Sequence, residues 1–170
     1  YHSEVQRSVM KELMQRTDGP AIRDTILWFA LLFGSAAGGI YFWGAWMCVP
    51  FFFVYGVIYG SSCDSRWHEC GHGTAFKTQW MNDWVYQIAC FMIVRNPATW
   101  RWSHTRHHTN TIIVGLDPEI AVMRPPVLFW VAGHFFGIFV IWAGWKVMLY
   151  NAAYGATSVE MIFMPATVHN

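Results

Sequence analysis

Charged residues are scarce in this sequence. Only 12 % of its 170 residues are Asp, Glu, Lys or Arg, about half of the roughly 25 % found in typical soluble domains. None occurs in residues 25–63 or in residues 125–145, runs of 39 and 21 residues. As helices, these runs are long enough to cross a hydrocarbon layer about 30 Å thick twice and once, respectively. A buried hairpin of a soluble protein would show a polar face, so we predict an all-α, integral membrane helical bundle.

Other patterns are missing as well. No cluster of Lys and Arg indicates nucleic-acid binding, and the net charge is only +1. The four cysteines show no C-x-x-C spacing, so we expect reduced thiols. The N-terminal segment is charged and lacks the apolar core of a signal peptide. Because the chain starts at Tyr1 and stops at Asn170 soon after an apolar segment, we expect a single domain that is incomplete at both ends.

Three apolar segments are the candidate membrane spans. They cover about 25–43, 46–63 and 127–149, and a polar, histidine-bearing segment lies between them at 61–126. Whether 127–149 crosses the bilayer or re-enters it is left open by the sequence. Small residues on the first span permit close helix contact, namely Gly34, Gly38 and Gly39.

The basic residues predict the orientation of these spans. Ten of the eleven Lys and Arg residues lie in 1–24 or 64–124. Two crossings return the chain to the side on which it started, so both basic segments share one side. The positive-inside rule makes that side cytoplasmic.

Histidines are grouped in a way that predicts a metal site. His68 and His72 are spaced i, i+4, and His104, His107 and His108 are spaced i, i+3, i+4. On a helix, both spacings place the imidazoles on one face. We therefore interpret these five residues as metal ligands.

Zinc and iron are the two metals to compare. The stretch 68-HECGH-72 matches the zinc-protease pattern H-E-x-x-H. A catalytic zinc takes three protein ligands, however, and that interpretation leaves the second histidine group unused. Imidazole suits iron equally well. A histidine-rich di-iron centre in a membrane suits O₂-dependent attack on an unactivated C–H bond of a lipid chain.

The two motifs together resemble the membrane fatty acid desaturase family. The resemblance rests on 68-HECGHGTAF-76, 102-WSHTRHHTNT-111 and 115-GLDPEI-120, and it extends as far as Pro165. It implies that the five histidines bind two iron ions. It also implies O₂ as co-substrate, a fatty acyl lipid or thioester as substrate, and a ferredoxin or cytochrome b5-type electron donor. By the same resemblance, the protein would lie in a bacterial inner membrane with its histidines on the cytoplasmic side.

The family's third histidine box is absent from this sequence, because His134 and His169 stand alone. We therefore expect the 170-residue chain by itself to be inactive. The two boxes do not separate desaturation from hydroxylation of alkanes or carotenoids. An inactive fragment, or a membrane-embedded metal-binding or structural protein, is the alternative from another class.

Four further residues are candidates for orienting the ligands, namely Glu69, Asn110, Asp117 and His134. Asp117 is followed by Pro118, which also indicates a turn, and Glu119 is a further carboxylate that could orient the second group. His134 is an ionisable residue in an apolar segment. It could therefore face the metal or hydrogen-bond within the bundle.

Overall fold

The computed structural model describes residues 5–61, 65–120, 125–135, 137–155, 162 and 164–165. Within those residues the secondary structure is helical and contains no strand, so the all-α prediction is confirmed. The helices are α1 (Arg7–Leu13), α2 (Asp18–Tyr41), α3 (Cys48–Gly60), α4 (Ser65–Gly71), α5 (Gln79–Met92), α6 (Pro97–Asn110), α7 (Leu128–Phe135) and α8 (Ile138–Tyr154). The chain divides into two compact units, Tyr1–Ala89 and Cys90–Asn170.

Helices α2 and α3 form a closely packed hairpin in the first unit. The Phe51 ring lies against Gly38 and the Phe52 ring against Gly39, where a side chain would collide with them. Gly34, by contrast, has no atom within 4 Å of the place that a Cβ would occupy. At the other end of the hairpin, the Trp28 indole N–H donates to the Ser61 hydroxyl at 2.8 Å. Of the three glycines predicted to permit close helix contact, Gly38 and Gly39 therefore do so, and Gly34 does not.

Length and composition make one stretch of the described residues a candidate membrane span. It runs from Arg7 to Tyr41 and includes α2, and 22 % of its apolar window is buried inside the molecule. Helix α3 is also apolar but shorter. The apolar side chains of α2 therefore lie mainly on the outside of the protein.

A short polar linker connects α4 to α5, and three side chains fasten it. The Asp18 carboxylate accepts hydrogen bonds from the Thr78 N–H and hydroxyl at 2.9 and 2.6 Å. The Arg16 guanidinium donates to the Gly73 carbonyl at 2.8 Å. From inside the unit, the buried Asn82 amide bonds both the N–H and the carbonyl of Phe76. The linker after the first histidine group is therefore fixed at several points.

Helix α6 begins the polar part of the second unit. The Asn96 side chain caps it by accepting from the N–H groups of Ala98 and Thr99 at 3.0 and 3.2 Å. Pro97 occupies the first turn, where its missing N–H costs nothing. Sequence chemistry alone accounts for this helix start.

The apolar segment 127–149 contains two helices rather than one continuous helix. Helix α7 ends at Phe135 and α8 begins at Ile138. Gly137 lies between them with φ of +69°, a left-handed conformation that glycine adopts without steric cost. The Phe139 ring packs on Gly133 across this break. A charge count predicts the apolar character of such a segment but not a turn within it.

Candidate metal centre

The first histidine group sits at the end of α4. His68 lies on the helix, and His72 follows its last residue, with its N–H bonded to the His68 carbonyl at 3.1 Å. The two imidazole rings meet edge to face, with centroids 4.7 Å apart. Their ligand nitrogens lie within 4.8 Å of each other, so the i, i+4 spacing does bring the two rings together.

Glu69 lies beside this pair. Its Oε1 is 3.0 Å from His68 Nδ1, and its Oε2 accepts from the Thr74 hydroxyl at 3.0 Å. The hydrogen bond from His68, helped by the one from Thr74, outweighs partial burial and lowers the pKa of Glu69 below its ordinary value. An ionised carboxylate only accepts hydrogen bonds, so His68 carries its proton on Nδ1. Its Nε2 then has a lone pair for a metal.

Cys70 lies between the two histidines in sequence but is no ligand candidate. Its side chain is buried, and burial raises the pKa of the thiol to about 11. A metal binds the thiolate rather than the thiol. The donors of this group are therefore imidazoles.

The second group lies on α6, in the other unit. His104 and His108 face each other with their Nε2 atoms 3.0 Å apart. The His107 ring lies 5.7 Å from that of His104 and 5.8 Å from that of His108. The i, i+3, i+4 spacing thus gathers three imidazoles on one helix.

Two carboxylates from the turn after α6 reach back to this group. Glu119 Oε2 is 3.0 Å from His104 Nδ1. Asp117 Oδ1 and Oδ2 are 2.9 and 3.0 Å from His107 Nδ1. In both cases the contact is made through Nδ1, which leaves Nε2 of the same ring for another partner.

Asp117 also organises the turn itself. Its Oδ2 accepts from the Ile112 N–H at 2.8 Å and its Oδ1 from the Glu119 N–H at 2.9 Å. Burial acts to raise the pKa of Asp117, but the hydrogen bonds from Glu119, His107 and Ile112 outweigh it, and the pKa lies below its ordinary value. Asp117 is therefore both the turn residue that its Asp-Pro pair indicates and a partner of His107.

The fatty acid desaturase family matches residues 44–170, which is most of the chain and includes both histidine groups. The chain belongs to the fatty acid desaturase family. This confirms the resemblance carried by the two motifs.

Individual relatives of this desaturase-family chain cover smaller parts of it. The sn-1 acyl-lipid omega-3 desaturase (ferredoxin) of Synechocystis sp. is 31% identical over 102 residues, 58% of this chain and 28% of the relative. An sn-1 oleoyl-lipid 12-desaturase of the same organism is 24% identical over 111 residues, 65% of this chain and 31% of the relative. The Delta(12)-fatty-acid desaturase of Arabidopsis thaliana is 41% identical over 63 residues, 37% of this chain and 16% of the relative.

The matched segments therefore span less than one third of the length of each of these relatives. No solved structure matches the chain closely enough to count as a relative. The family match and the names of these relatives together support fatty acid desaturation at the level of the family.

The remaining predicted partners have different places in this desaturase-family structure. Asn110 is the last residue of α6. Its backbone carbonyl accepts a hydrogen bond from the Ile113 N–H at 2.9 Å. The His134 backbone belongs to α7, but its side chain lies outside the described part of the chain, as does His169. Glu119 was predicted as a further carboxylate that could orient the second group. Ser103 was not predicted, and its hydroxyl donates to Glu119 Oε1 at 3.3 Å.

The donors fit an iron site of the kind that the family resemblance implies. Three of the five imidazoles have a carboxylate at Nδ1. This is the usual arrangement by which proteins fix the tautomer of a metal-binding histidine and raise its basicity. Neutral imidazole nitrogens suit iron. Within each unit, the histidines and their carboxylates are therefore chemically suited to hold the metal.

Proposed function

We propose that this protein is an O₂-dependent di-iron desaturase that introduces a C=C bond into fatty acyl chains in the membrane. The ligands from this chain would be His68, His72, His104, His107 and His108. The observation that carries the proposal is the pairing of imidazole Nδ1 atoms with carboxylates in both histidine groups of a fatty acid desaturase family member. Chance histidines on a polar surface have no reason to share this arrangement.

The bound iron pair would supply the O₂-dependent oxidation of the acyl chain. In the balanced reaction, two neighbouring CH₂ groups lose two hydrogens, and O₂ takes up these, two electrons and two protons to become two waters. We propose a ferredoxin or a cytochrome b5-type protein as the electron donor. The name of the omega-3 desaturase relative supports ferredoxin. The substrate would be an acyl lipid or an acyl thioester.

The protein's own residues have a holding role in this proposal. Glu69, Asp117 and Glu119 accept the Nδ1 protons of three imidazoles, so each ring is held in one orientation and keeps its Nε2 lone pair. Asn110 and His134 remain candidate partners of the site.

We further propose that the helices form an integral membrane bundle. The apolar side chains of α2 and α3 that lie on the outside of the hairpin would contact lipid. The charge-free segment 127–149 would lie in the bilayer as well. Because the basic residues flank both histidine groups, the metal site would cap the bundle on the cytoplasmic face of a bacterial inner membrane.

The test compares His107→Ala with His2→Ala in the full-length protein. His107 belongs to the second group, whereas His2 belongs to neither. We expect His107→Ala to lose iron by elemental analysis and to lose acyl desaturation in whole cells, while His2→Ala keeps both. Retained iron with full turnover in His107→Ala would contradict the ligand assignment. If the unmodified protein contained zinc instead of iron, or formed an alcohol instead of an alkene, the proposed reaction would be contradicted.

A further inference from the structure

Glu119 is a carboxylate that the turn after α6 delivers to the second histidine group. Its Oε2 lies 3.0 Å from His104 Nδ1, and the side chains of His104 and Glu119 are only 12% and 16% exposed. The other oxygen, Oε1, accepts from the Ser103 hydroxyl at 3.3 Å. Both carboxylate oxygens are thus engaged with neighbouring residues of α6, and little water competes for them.

The backbone explains how Glu119 comes to this place. Asp117 Oδ1 accepts the Glu119 N–H at 2.9 Å, a side-chain turn typical of aspartate, while Pro118 restricts the residue between them. Asp117 Oδ2 holds the start of the same turn through the Ile112 N–H at 2.8 Å. The turn is closed at both ends, so the position of Glu119 is built into the fold.

The contact determines which nitrogen of His104 carries the proton. A carboxylate accepts and does not donate, so the Nδ1 of His104 is the protonated atom. The Nε2 of His104 is then an acceptor, and it faces the Nε2 of His108 at 3.0 Å.

We propose that Glu119 is a positioning residue, which holds His104 as the Nδ1–H tautomer so that its Nε2 lone pair is aimed for metal before any metal binds. This inference rests on the proposed function, in which His104 is an iron ligand. Ser103 steadies the carboxylate, and Asp117 builds the turn that delivers it. The side chain of Glu119 would therefore act on the metal through His104.

The experiment reads the tautomer directly in the metal-free, full-length protein. With ¹⁵N-labelled histidine in lipid nanodiscs, His104 should show a protonated Nδ1 and an unprotonated Nε2, and the signal is assigned by its loss in His104→Ala. In Glu119→Gln the amide can both donate and accept, so we expect a mixture of tautomers. Co²⁺ affinity, measured by chelator competition, should fall about 10–100-fold.

Two variants complete the design. Glu12→Gln makes the same change on the exposed helix α1 and should leave the tautomer and the affinity unchanged. Glu119→Asp keeps the charge but withdraws the carboxylate by one methylene, so it should act in the same direction as Glu119→Gln. If Glu119→Gln does not fold, the His104 tautomer and the Co²⁺ affinity are measured on Glu119→Asp instead.

An unchanged His104 tautomer and Co²⁺ affinity in the folded Glu119 variants would overturn the positioning role. That result is distinct from failure of the proposed function. If His104→Ala itself kept the full Co²⁺ affinity, His104 would not be a ligand, and the metal site would fail whatever Glu119 does.

Discussion

Asn82 is a buried side chain that holds the linker after the first histidine group. It is fully buried on α5, and its Oδ1 accepts the Phe76 N–H at 3.0 Å while its Nδ2 donates to the Phe76 carbonyl at 2.9 Å. In Asn82→Leu both backbone groups lose their partner. A buried polar group left in this way costs about 1–3 kcal/mol. The two groups together therefore cost about 2–6 kcal/mol. Burial of the apolar leucine side chain offsets about 1–2 kcal/mol of this, so we expect a net loss of about 2–4 kcal/mol in the free energy of unfolding.

Equilibrium unfolding of the full-length, metal-free protein in detergent measures this loss. Gln87→Leu, on an exposed face of the same helix, is the matched control and should change the free energy of unfolding by no more than about 0.5 kcal/mol. Because the linker begins directly after His72, we also expect Asn82→Leu to weaken Co²⁺ binding. Equal unfolding midpoints for the two variants would refute the reasoning, since the Phe76 groups would then have found other partners.

Two further predictions concern the first unit. In Gly39→Ala the new Cβ would stand 2.8 Å from Phe52 Cε1, so we expect a cost of about 1–3 kcal/mol from overpacking. Gly34→Ala, where the space is open, should instead stabilise by up to about 1 kcal/mol, and equal thermal stabilities would count against close α2–α3 packing. The hydrogen bonds from Thr78 lower the pKa of Asp18, so its contribution to stability is full above about pH 4 and is lost as the pH falls through the lowered value. Asp18→Asn should remove that part of the acid sensitivity in a pH series of unfolding curves, and an unchanged profile would contradict it.

The histidine groups show how far local spacing carries a prediction. An i, i+4 spacing places two side chains on one face of a helix, and the rings of His68 and His72 at the end of α4 do meet. Partners from loops follow no such rule. Glu69 is adjacent to its histidine in sequence, whereas Glu119 lies 15 residues from His104 and reaches it only through the turn at Asp117. The Asp-Pro pair indicated that turn. Its direction, however, depends on hydrogen bonds from the Ile112 and Glu119 N–H groups to the Asp117 carboxylate, and no regular sequence spacing predicts these.

The sequence by itself determined the helical class, the apolar segments and the two histidine groups, because each depends on composition or on helical periodicity over a few turns. Only the tertiary structure decided the break at Gly137, the Phe52 ring over Gly39 and the carboxylate at His104. Each of these depends on where a loop returns the chain. That path is set by packing and hydrogen bonds between residues distant in sequence, which a local pattern does not record.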